Sequence, residues 1–380
     1  FMDIDVELKE KKRTEPFVPD GPLTFASVRT DHIFYMDGKV DPSGQVAWTN
    51  PRIEPYGPMK GIMPGAVVFH YGVEDFEGAK AFEHPDGELY TFRLRENAER
   101  LNRSAAALCI PAIPVEDQLQ AVNTLLDIDR LWSPKQEGAS LYIRPAVIGV
   151  TDFMGISSGT DFRFMVFASA GGAYYAQGFN PITLLHSHDF KRAAPNNFGM
   201  SKAGGIYGLT VRHVLEAKKK AEKAGVNPND DGQVLYSSVD GKFVEEAGAM
   251  NHYCVTKDGT IIIPEFTNTI LDSITARSFI EEGENALGRE VVQATIPLED
   301  FFNVIKSGEV VEAGGLGTAA VVSPVGTYLV DQGEGDLEEL VVGDGGVGPV
   351  TQQMYDWLTG VQTGKVEAPE DWLQKVPRTA

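Results

Sequence analysis

Cysteine is scarce in this 380-residue chain: only Cys109 and Cys254 occur, too few for a disulfide framework. Their apolar settings, Leu108-Cys109-Ile110 and Tyr253-Cys254-Val255, predict buried thiols in a reducing compartment. Long apolar runs are missing too. None approaches the ~20 residues of a membrane span, and no charged stretch followed by an apolar core reads as a secretion signal, so a cytoplasmic protein with no membrane role is expected. Basic charge is in deficit: 33 Lys and Arg stand against 54 Asp and Glu, a net charge of −21. That balance argues against a nucleic-acid partner, because phosphate backbones are gripped by clustered cations. The basic run Lys218-Lys219-Lys220 has Glu216 and Glu222 beside it and reads as a solvated helix face. Repeats and low-complexity tracts are absent. Phe1 ahead of Met2 reads as a remnant of expression, and the charged residues 3–14 as a poorly ordered lead-in.

With 42% hydrophobic residues, a chain this long has material for two cores, since single cores stop growing beyond ~250–300 residues. Residues 45–70, rich in Pro and Gly, read as turns and short strands. Residues 87–93 alternate like a half-buried strand, and residues 95–108 place Ala98, Leu101, Ala105 and Leu108 on one helical stripe, closed by Pro111 and Pro114. Strand composition marks 140–150 and 162–170. The glycine- and tyrosine-rich segment 172–181 reads as an interdomain loop, giving domains 1–171 and 182–380. Beyond it the pattern predicts a strand near 182–186, a helix from about 205 to 224 stopped by Gly225, and strands near 233–238, 251–256 and 260–263. Strands and helices mix without a regular βαβ beat, which favours α+β over a doubly wound parallel sheet.

Lys202 stands in Ser201-Lys202-Ala203-Gly204-Gly205-Ile206-Tyr207-Gly208. A loop lysine ahead of a helix is the plain reading. A Schiff-base lysine is the chemical one, since it needs bare backbone for a planar cofactor and a polar partner for a phenolate. Glu246, entering the small-residue turn Ala247-Gly248-Ala249, suits a buried carboxylate against a pyridine nitrogen, although two adjacent glutamates usually mark a surface. Gly314-Gly315-Leu316-Gly317-Thr318-Ala319-Ala320 offers consecutive N–H groups and a hydroxyl for phosphate. It also fits the dinucleotide pattern, but Pro324 and the strand-like Val321-Val322 leave no room for the long helix that pattern requires. Ser273-Ile274-Thr275 reads as a second helix start able to face the same phosphate. Of Arg93, Arg95, Arg100 and Arg103, Arg100 adjoins the buried stripe and is placed to reach inward to phosphate. His186-Ser187-His188 lacks further spaced ligands, so no metal is expected.

These residues resemble the branched-chain amino acid aminotransferases, pyridoxal-phosphate enzymes of fold type IV. The likeness runs in order through His70-Tyr71, Phe76-Glu77-Gly78-Ala79-Lys80-Ala81-Phe82, Arg100-Leu101-Asn102-Arg103-Ser104 and Tyr142-Ile143-Arg144-Pro145. It continues through Arg192-Ala193-Ala194-Pro195, the Lys202 loop, Glu246-Ala247-Gly248-Ala249-Met250-Asn251, Gly317-Thr318-Ala319-Ala320, and Gly348-Pro349-Val350-Thr351 leading to Leu358-Thr359-Gly360, covering about residues 25–365. The resemblance implies a D-amino acid aminotransferase-like fold with a small N-terminal and a larger C-terminal domain, and pyridoxal 5′-phosphate as cofactor. It implies Lys202 as Schiff-base lysine and proton-transfer base, Tyr207 at the cofactor's 3-oxygen and Glu246 at its ring nitrogen. It also implies Arg100, Ile274, Thr275, Gly317 and Thr318 at its phosphate. Phe25, Tyr71, Phe76, Tyr142, Arg144, Tyr174, Ala249 and Ala319 are placed around the substrate, with Arg144 for the distal carboxylate of glutamate. Met154 and Ile156 come from a partner subunit, so a homodimer is implied.

Lys80, the other lysine of a matched motif, lacks a glycine pair and a tyrosine partner and is given no catalytic part. Two positions depart from the family pattern: Ile206 where asparagine is usual, and Ala249 where threonine is frequent. Losing one hydroxyl costs ~0.5–1.5 kcal/mol of binding, which shifts a donor profile without abolishing activity. The expected reaction is transfer of the amino group of L-Leu, L-Ile or L-Val to 2-oxoglutarate. A related transaminase of amines, aromatic or D-amino acids is the alternative among enzymes. A non-catalytic protein holding a phosphorylated ligand is the alternative outside them.

Overall fold

The alternating and β-rich stretches fold as strands in a computed structural model that describes residues 1–172, 178–196, 198–225 and 233–378. The chain falls into two compact units: Phe1–Ala173 with Ser201–Gly204 and Gln362–Ala380, and Tyr174–Met200 with Gly205–Val361. The segment carrying Lys202 and the C-terminal tail thus belong to the first unit, whereas the sequence places both in the second half. Internal pairing accounts for this. Leu373–Lys375 adds to the edge of Leu89–Phe92, and Ala203 bridges Asp75.

The first unit is built on a sheet that runs Asp5–Val6, Val46–Pro55, Val28–Val40, Asp161–Gly171, Ser140–Gly149, Ala79–Glu83, Leu89–Phe92 and Leu373–Lys375. Glu74–Phe76 pairs with Ser140–Gly149 beside this path. Helix Leu94–Ala107 follows the predicted stripe and buries Ala98, Leu101 and Ala105. A second helix, Val115–Ile128, begins where the prolines read as a stop. Pro114 occupies its N-cap, Glu116 and Asp117 complement the first turn, and Leu119, Val122, Leu125 and Leu126 pack into the same core. The acidic and basic lead-in is ordered rather than loose. Asp5–Val6 pairs in parallel with Arg52–Ile53, Lys9 Nζ lies 2.7 Å from Asp31 Oδ1, and Arg13 N donates to Asp31 Oδ2 at 2.9 Å. Its charges find partners that the sequence does not reveal.

The second unit carries a mixed sheet ordered Val244–Ala247, Gln233–Ser237, Ile182–His186, Val321–Gly333, Val310–Gly317, Met250–Thr256, Ile261–Pro264 and Val291–Ala294. Val244–Ala247 also pairs with Met250–Thr256, so the first six strands in that order close on themselves. Such closure buries both faces of short strands. Helix Gly204–Lys223 packs Ala217 and Ala221 on Leu185, Val234, Tyr236 and Leu329, and helix Leu298–Lys306 covers the other core with Phe301 and Ile305. Two strand–helix–strand crossovers, Ile182–His186 to Gln233–Ser237 and Ile261–Pro264 to Val291–Ala294, join parallel neighbours, but antiparallel pairs separate them and the architecture is the expected α+β.

The cysteines differ from each other. Cys254 is buried on its strand, with its thiol pushed up to about 12 by burial, whereas Cys109 is exposed in the left-handed turn after the first long helix.

Glu312 supplies a start signal for the last long helix, Pro349–Gln362. Its carboxylate accepts Val350 N–H at 3.0 Å and Thr351 N–H at 2.7 Å. Glu312→Ala removes that cap and is expected to lower stability by about 1–2 kcal/mol, read as a fall in thermal midpoint with the fold retained by circular dichroism.

Candidate active site

Lys202 is fixed by backbone before its side chain is considered. Its N–H donates to Ser104 Oγ at 3.0 Å, and its carbonyl accepts Phe76 N–H at 3.2 Å. With Ala203 bridging Asp75, the lysine segment behaves as a short strand added beside Glu74–Phe76. The half-buried side chain sets Nζ 4.9 Å from the centre of the Phe76 ring, within cation–π range. Arg144 approaches the same ring, its Cζ 4.6 Å from the centre. Arg144 Nη2 donates to Tyr142 Oη at 3.0 Å, while its Nε is buried with no hydrogen-bond partner. Phe25 meets Tyr142 edge-on at 4.8 Å, so Phe25, Phe76, Tyr142 and Arg144 form one group. Gly78 lets the Tyr142 hydroxyl lie against the chain, because a Cβ there would collide with it. Tyr71 hydrogen-bonds through its hydroxyl to the Met154 carbonyl, and Phe153, Met154 and Ile156 project apolar side chains into solvent.

The acidic residues around Phe76 are buried or half-buried and unequal. Glu77 is gripped in fork fashion by Arg100, Nε to Oε1 at 2.6 Å and Nη2 to Oε2 at 2.9 Å, and also accepts from Asn97 at 2.9 Å. Burial would raise the Glu77 carboxyl, but the Arg100 charge and these hydrogen bonds hold it below its usual range. Arg100 does point inward, as expected, but what it grips is Glu77. Asp75 is fully buried, and neither carboxylate oxygen has a hydrogen-bond partner. Burial, with the Glu77 charge added, pushes it up to about 9. Glu74 is raised by burial too, offset by the Gly204 N–H and by Arg144. Gly204 lets Glu74 Oε1 sit in the space a Cβ would take, so a side chain there would have to displace the end of Glu74. Lys80 sits buried on its strand, brought down to about 8 by desolvation.

In the second unit Glu246 lies on strand Val244–Ala247 and is buried, as is Glu245 beside it; the pair is not a surface, because both faces of the strand are covered. Glu246 Oε1 accepts Arg192 Nη2 at 3.0 Å and Leu271 N–H at 2.8 Å. Arg192 Nη2 also donates to the Gly199 and Thr269 carbonyls, at 2.9 and 2.6 Å. Sequence reading matched Arg192 only as part of a motif; no periodicity marks it, and two of its buried partners, Glu246 and Thr269, are 54 and 77 residues away. Tyr207 stands in the first turns of helix Gly204–Lys223 and, with Gln233, Tyr236, Gly248 and Ala249, lines a cavity of about 300 Å³. Ile206 turns the other way and is buried.

Ile274 and Thr275 open helix Ile274–Leu287, whose cap Ser273 accepts Ala276 N–H at 3.2 Å. Gly317 ends one strand and Val321 begins the next, so Thr318 and Ala319 occupy a hairpin turn. The helix start at Ser273-Ile274-Thr275 is where the sequence places it, and the turn at Thr318, followed by a strand, leaves no long helix for the dinucleotide pattern. A strand follows, and Val321 holds a left-handed φ of 65° that is unusual for a β-branched residue. Residues 173–177 of the 172–181 segment, Tyr174 among them, lie outside the described residues.

Residues 76–326 match the family Amino-transferase class IV. The chain belongs to that family. Branched-chain-amino-acid aminotransferase 2 of Bacillus subtilis (strain 168) is 35% identical to it over 374 residues, 98% of this chain and 97% of that one. The branched-chain-amino-acid aminotransferase of Mycolicibacterium smegmatis is 33% identical over 93% of this chain and 92% of its own. Among solved structures, the Escherichia coli branched-chain amino acid aminotransferase superposes with a TM-score of 0.70 at 24% identity, covering 91% of this chain and 99% of that one. The Thermobaculum terrenum enzyme in its PLP form gives 0.67 at 21%, over 91% and 98%. The fold is therefore fold type IV, and class IV aminotransferases depend on pyridoxal phosphate. Each unit carries residue types that suit such a group: in the first, the half-buried amine of Lys202, and in the second, the buried carboxylate of Glu246 and the first-turn N–H groups at Ile274 and Thr275.

Two outcomes follow for the buried charges. Asp75 retains in the fold a proton that the unfolded chain gives up near pH 4. Its stabilising contribution is complete below that value and is lost progressively as pH rises toward about 9. Asp75→Asn removes the penalty, so thermal midpoints measured from pH 5 to 9 should fall less steeply in the variant, with the gap widening at alkaline pH. Arg192→Met leaves the Glu246 carboxylate buried without its cation and should cost about 3–5 kcal/mol in urea unfolding.

Proposed function

We propose that this class IV aminotransferase moves the amino group of L-leucine, L-isoleucine or L-valine to 2-oxoglutarate, giving branched-chain 2-oxo acids and L-glutamate. The observation that carries the reading is the near full-length likeness to branched-chain relatives at 35% identity, with Lys202, Phe76 and Arg144 grouped on one aromatic ring. Pyridoxal phosphate, when bound, supplies an aldehyde that joins amines and a ring that withdraws electrons. Lys202 would supply the amine that holds the cofactor's aldehyde carbon between turnovers and the base that carries the proton from the substrate Cα to C4′ of the cofactor. Its backbone anchoring keeps Nζ in reach. Glu246, oriented by Arg192 and Leu271 N–H, would keep a proton on the pyridine nitrogen. Tyr207 would partner the 3-oxygen, and Ile274, Thr275, Gly317 and Thr318 would hold the phosphate, with Arg100 adding its charge from its place on Glu77.

Phe25, Tyr71, Phe76, Tyr142 and Tyr174 exclude water from an aliphatic side chain, whose burial is worth ~1.5–3 kcal/mol. Arg144, with a buried Nε donor to offer, receives the distal carboxylate of glutamate. Ala249 and Ala319 contribute backbone rather than side-chain contacts to the substrate. The protein works in the cytoplasm as a homodimer, with the exposed loop of Met154 and Ile156 lent to the partner's substrate pocket.

Purified protein reduced with borohydride should carry the cofactor mass on Lys202, and Lys202→Ala should lose both the adduct and turnover. A colourless protein with no adduct would instead indicate a phosphorylated-ligand binder. In a panel of L-Leu, L-Ile, L-Val, L-Phe, D-Ala and an arylalkylamine against 2-oxoglutarate and pyruvate, the L-branched donors should turn over fastest. A faster amine or D-Ala would overturn the substrate assignment and leave the cofactor assignment standing.

A further inference from the structure

Glu245 has no part in the chemistry above, yet buried hydrogen bonds connect it to Glu246 by a route that leaves their strand. Thr269 Oγ1 donates to Glu245 Oε1, and both residues are buried. The Thr269 carbonyl accepts Arg192 Nη2 at 2.6 Å, and two residues on, Leu271 N–H donates to Glu246 Oε1 at 2.8 Å. The 269–271 backbone thus gives one contact to each member of the Arg192–Glu246 pair, itself joined at 3.0 Å. Other contacts hold the same segment. Thr267 Oγ1 lies 2.9 Å from Thr269 Oγ1, and Asn251 Nδ2 donates to the Leu271 carbonyl at 3.1 Å. Gly199 lies so near that a Cβ on it would fall 2.5 Å from Thr269 Cα. Glu245 has only the Thr269 bond: its Oε2 is buried without a hydrogen-bond partner. Burial raises the Glu245 carboxyl, opposed by the Thr269 bond and by the charges of Arg192 and Lys191, with Asp240 adding to the rise. Arg192 pairs with Glu246 instead.

We propose that Glu245 is a positioning residue for Glu246: by holding the Thr269 hydroxyl it fixes the 269–271 backbone, which aims Arg192 and the Glu246 carboxylate at the cofactor's ring nitrogen. The inference rests on the assignment of Glu246 to that nitrogen. A strand sets where the Glu246 side chain starts, not where its carboxylate ends, because several torsions intervene. Two donors on one oxygen, both tied to the same short segment, remove that freedom. A carboxylate that keeps a ring nitrogen protonated acts through distance and direction. Slack in the segment therefore weakens cofactor binding and slows turnover while leaving the contacts of the substrate alone.

Glu245→Leu removes the acceptor and Thr269→Val the donor, whereas Glu245→Gln keeps an oxygen for the Thr269 hydroxyl. Full-length Glu245→Leu and Thr269→Val should each bind pyridoxal 5′-phosphate about tenfold more weakly than wild type, and the double variant no more weakly than either one. With L-leucine, kcat should fall with KM little changed. Glu245→Gln should bring the cofactor Kd back to within about twofold of wild type. Adding Glu245→Leu to Glu246→Gln should leave the cofactor Kd where Glu246→Gln alone puts it. Where Glu245→Leu does not fold, Thr269→Val gives the same comparison. A lowered thermal midpoint with an unchanged cofactor Kd overturns the proposal, as does a full further loss of affinity on the Glu246→Gln background. A wild type that binds no pyridoxal phosphate overturns the reading of Glu246 and this proposal with it. One that binds it and ignores both Glu245→Leu and Thr269→Val overturns this proposal alone.

Discussion

One backbone hydrogen bond, Phe76 N–H to the Lys202 carbonyl, organises the reactive end of the first unit. It converts a loop residue into a strand neighbour, and strand neighbours have fixed side-chain directions. The amine and the Phe76 ring therefore share a face, and Arg144 reaches the same ring from the adjoining strand. The opposite face has its own lock. Arg100 forks onto Glu77 in full burial, pinning the Glu74–Phe76 strand to helix Leu94–Ala107, whose Ser104 also takes the Lys202 N–H. Lys202, the Schiff-base residue proposed above, is held by its main chain, so its side chain retains freedom to move.

The second unit handles charge by enclosure. Glu245 and Glu246 are consecutive, so alternation sends them to opposite faces of a strand whose ring of neighbours leaves neither face wet. Each carboxylate then needs a donor from within: Thr269 Oγ1 for Glu245, Arg192 and Leu271 N–H for Glu246. Arg192 in turn is held by two carbonyls, which fixes the plane of its guanidinium and with it the direction of Glu246.

The parts of this architecture that periodicity governs were legible in the sequence. The Leu94–Ala107 stripe, the strand at 182–186 and the long helix ending before Gly225 follow from local spacing alone. Helix Val115–Ile128 was hidden because a proline stands at its cap, where a stop and a start look alike. The ordered lead-in and Arg192 were hidden for another reason: what holds them lies far along the chain, and no local pattern records it. Residue types singled out Lys202 and Glu246 as candidates. They did not announce Asp75, an orphaned buried acid that reads as one more surface charge in Glu74-Asp75-Phe76-Glu77.

The meeting of Glu74 and Gly204 also limits how this enzyme can change over generations. A side chain at position 204 would have to push aside the carboxylate end of Glu74, which occupies its Cβ space. That end is flexible, so a replacement at 204 is answered by a rotation of residue 74, and shortening residue 74 makes room outright. The two sites lie 130 residues apart in sequence, yet a change at one alters the setting of the other.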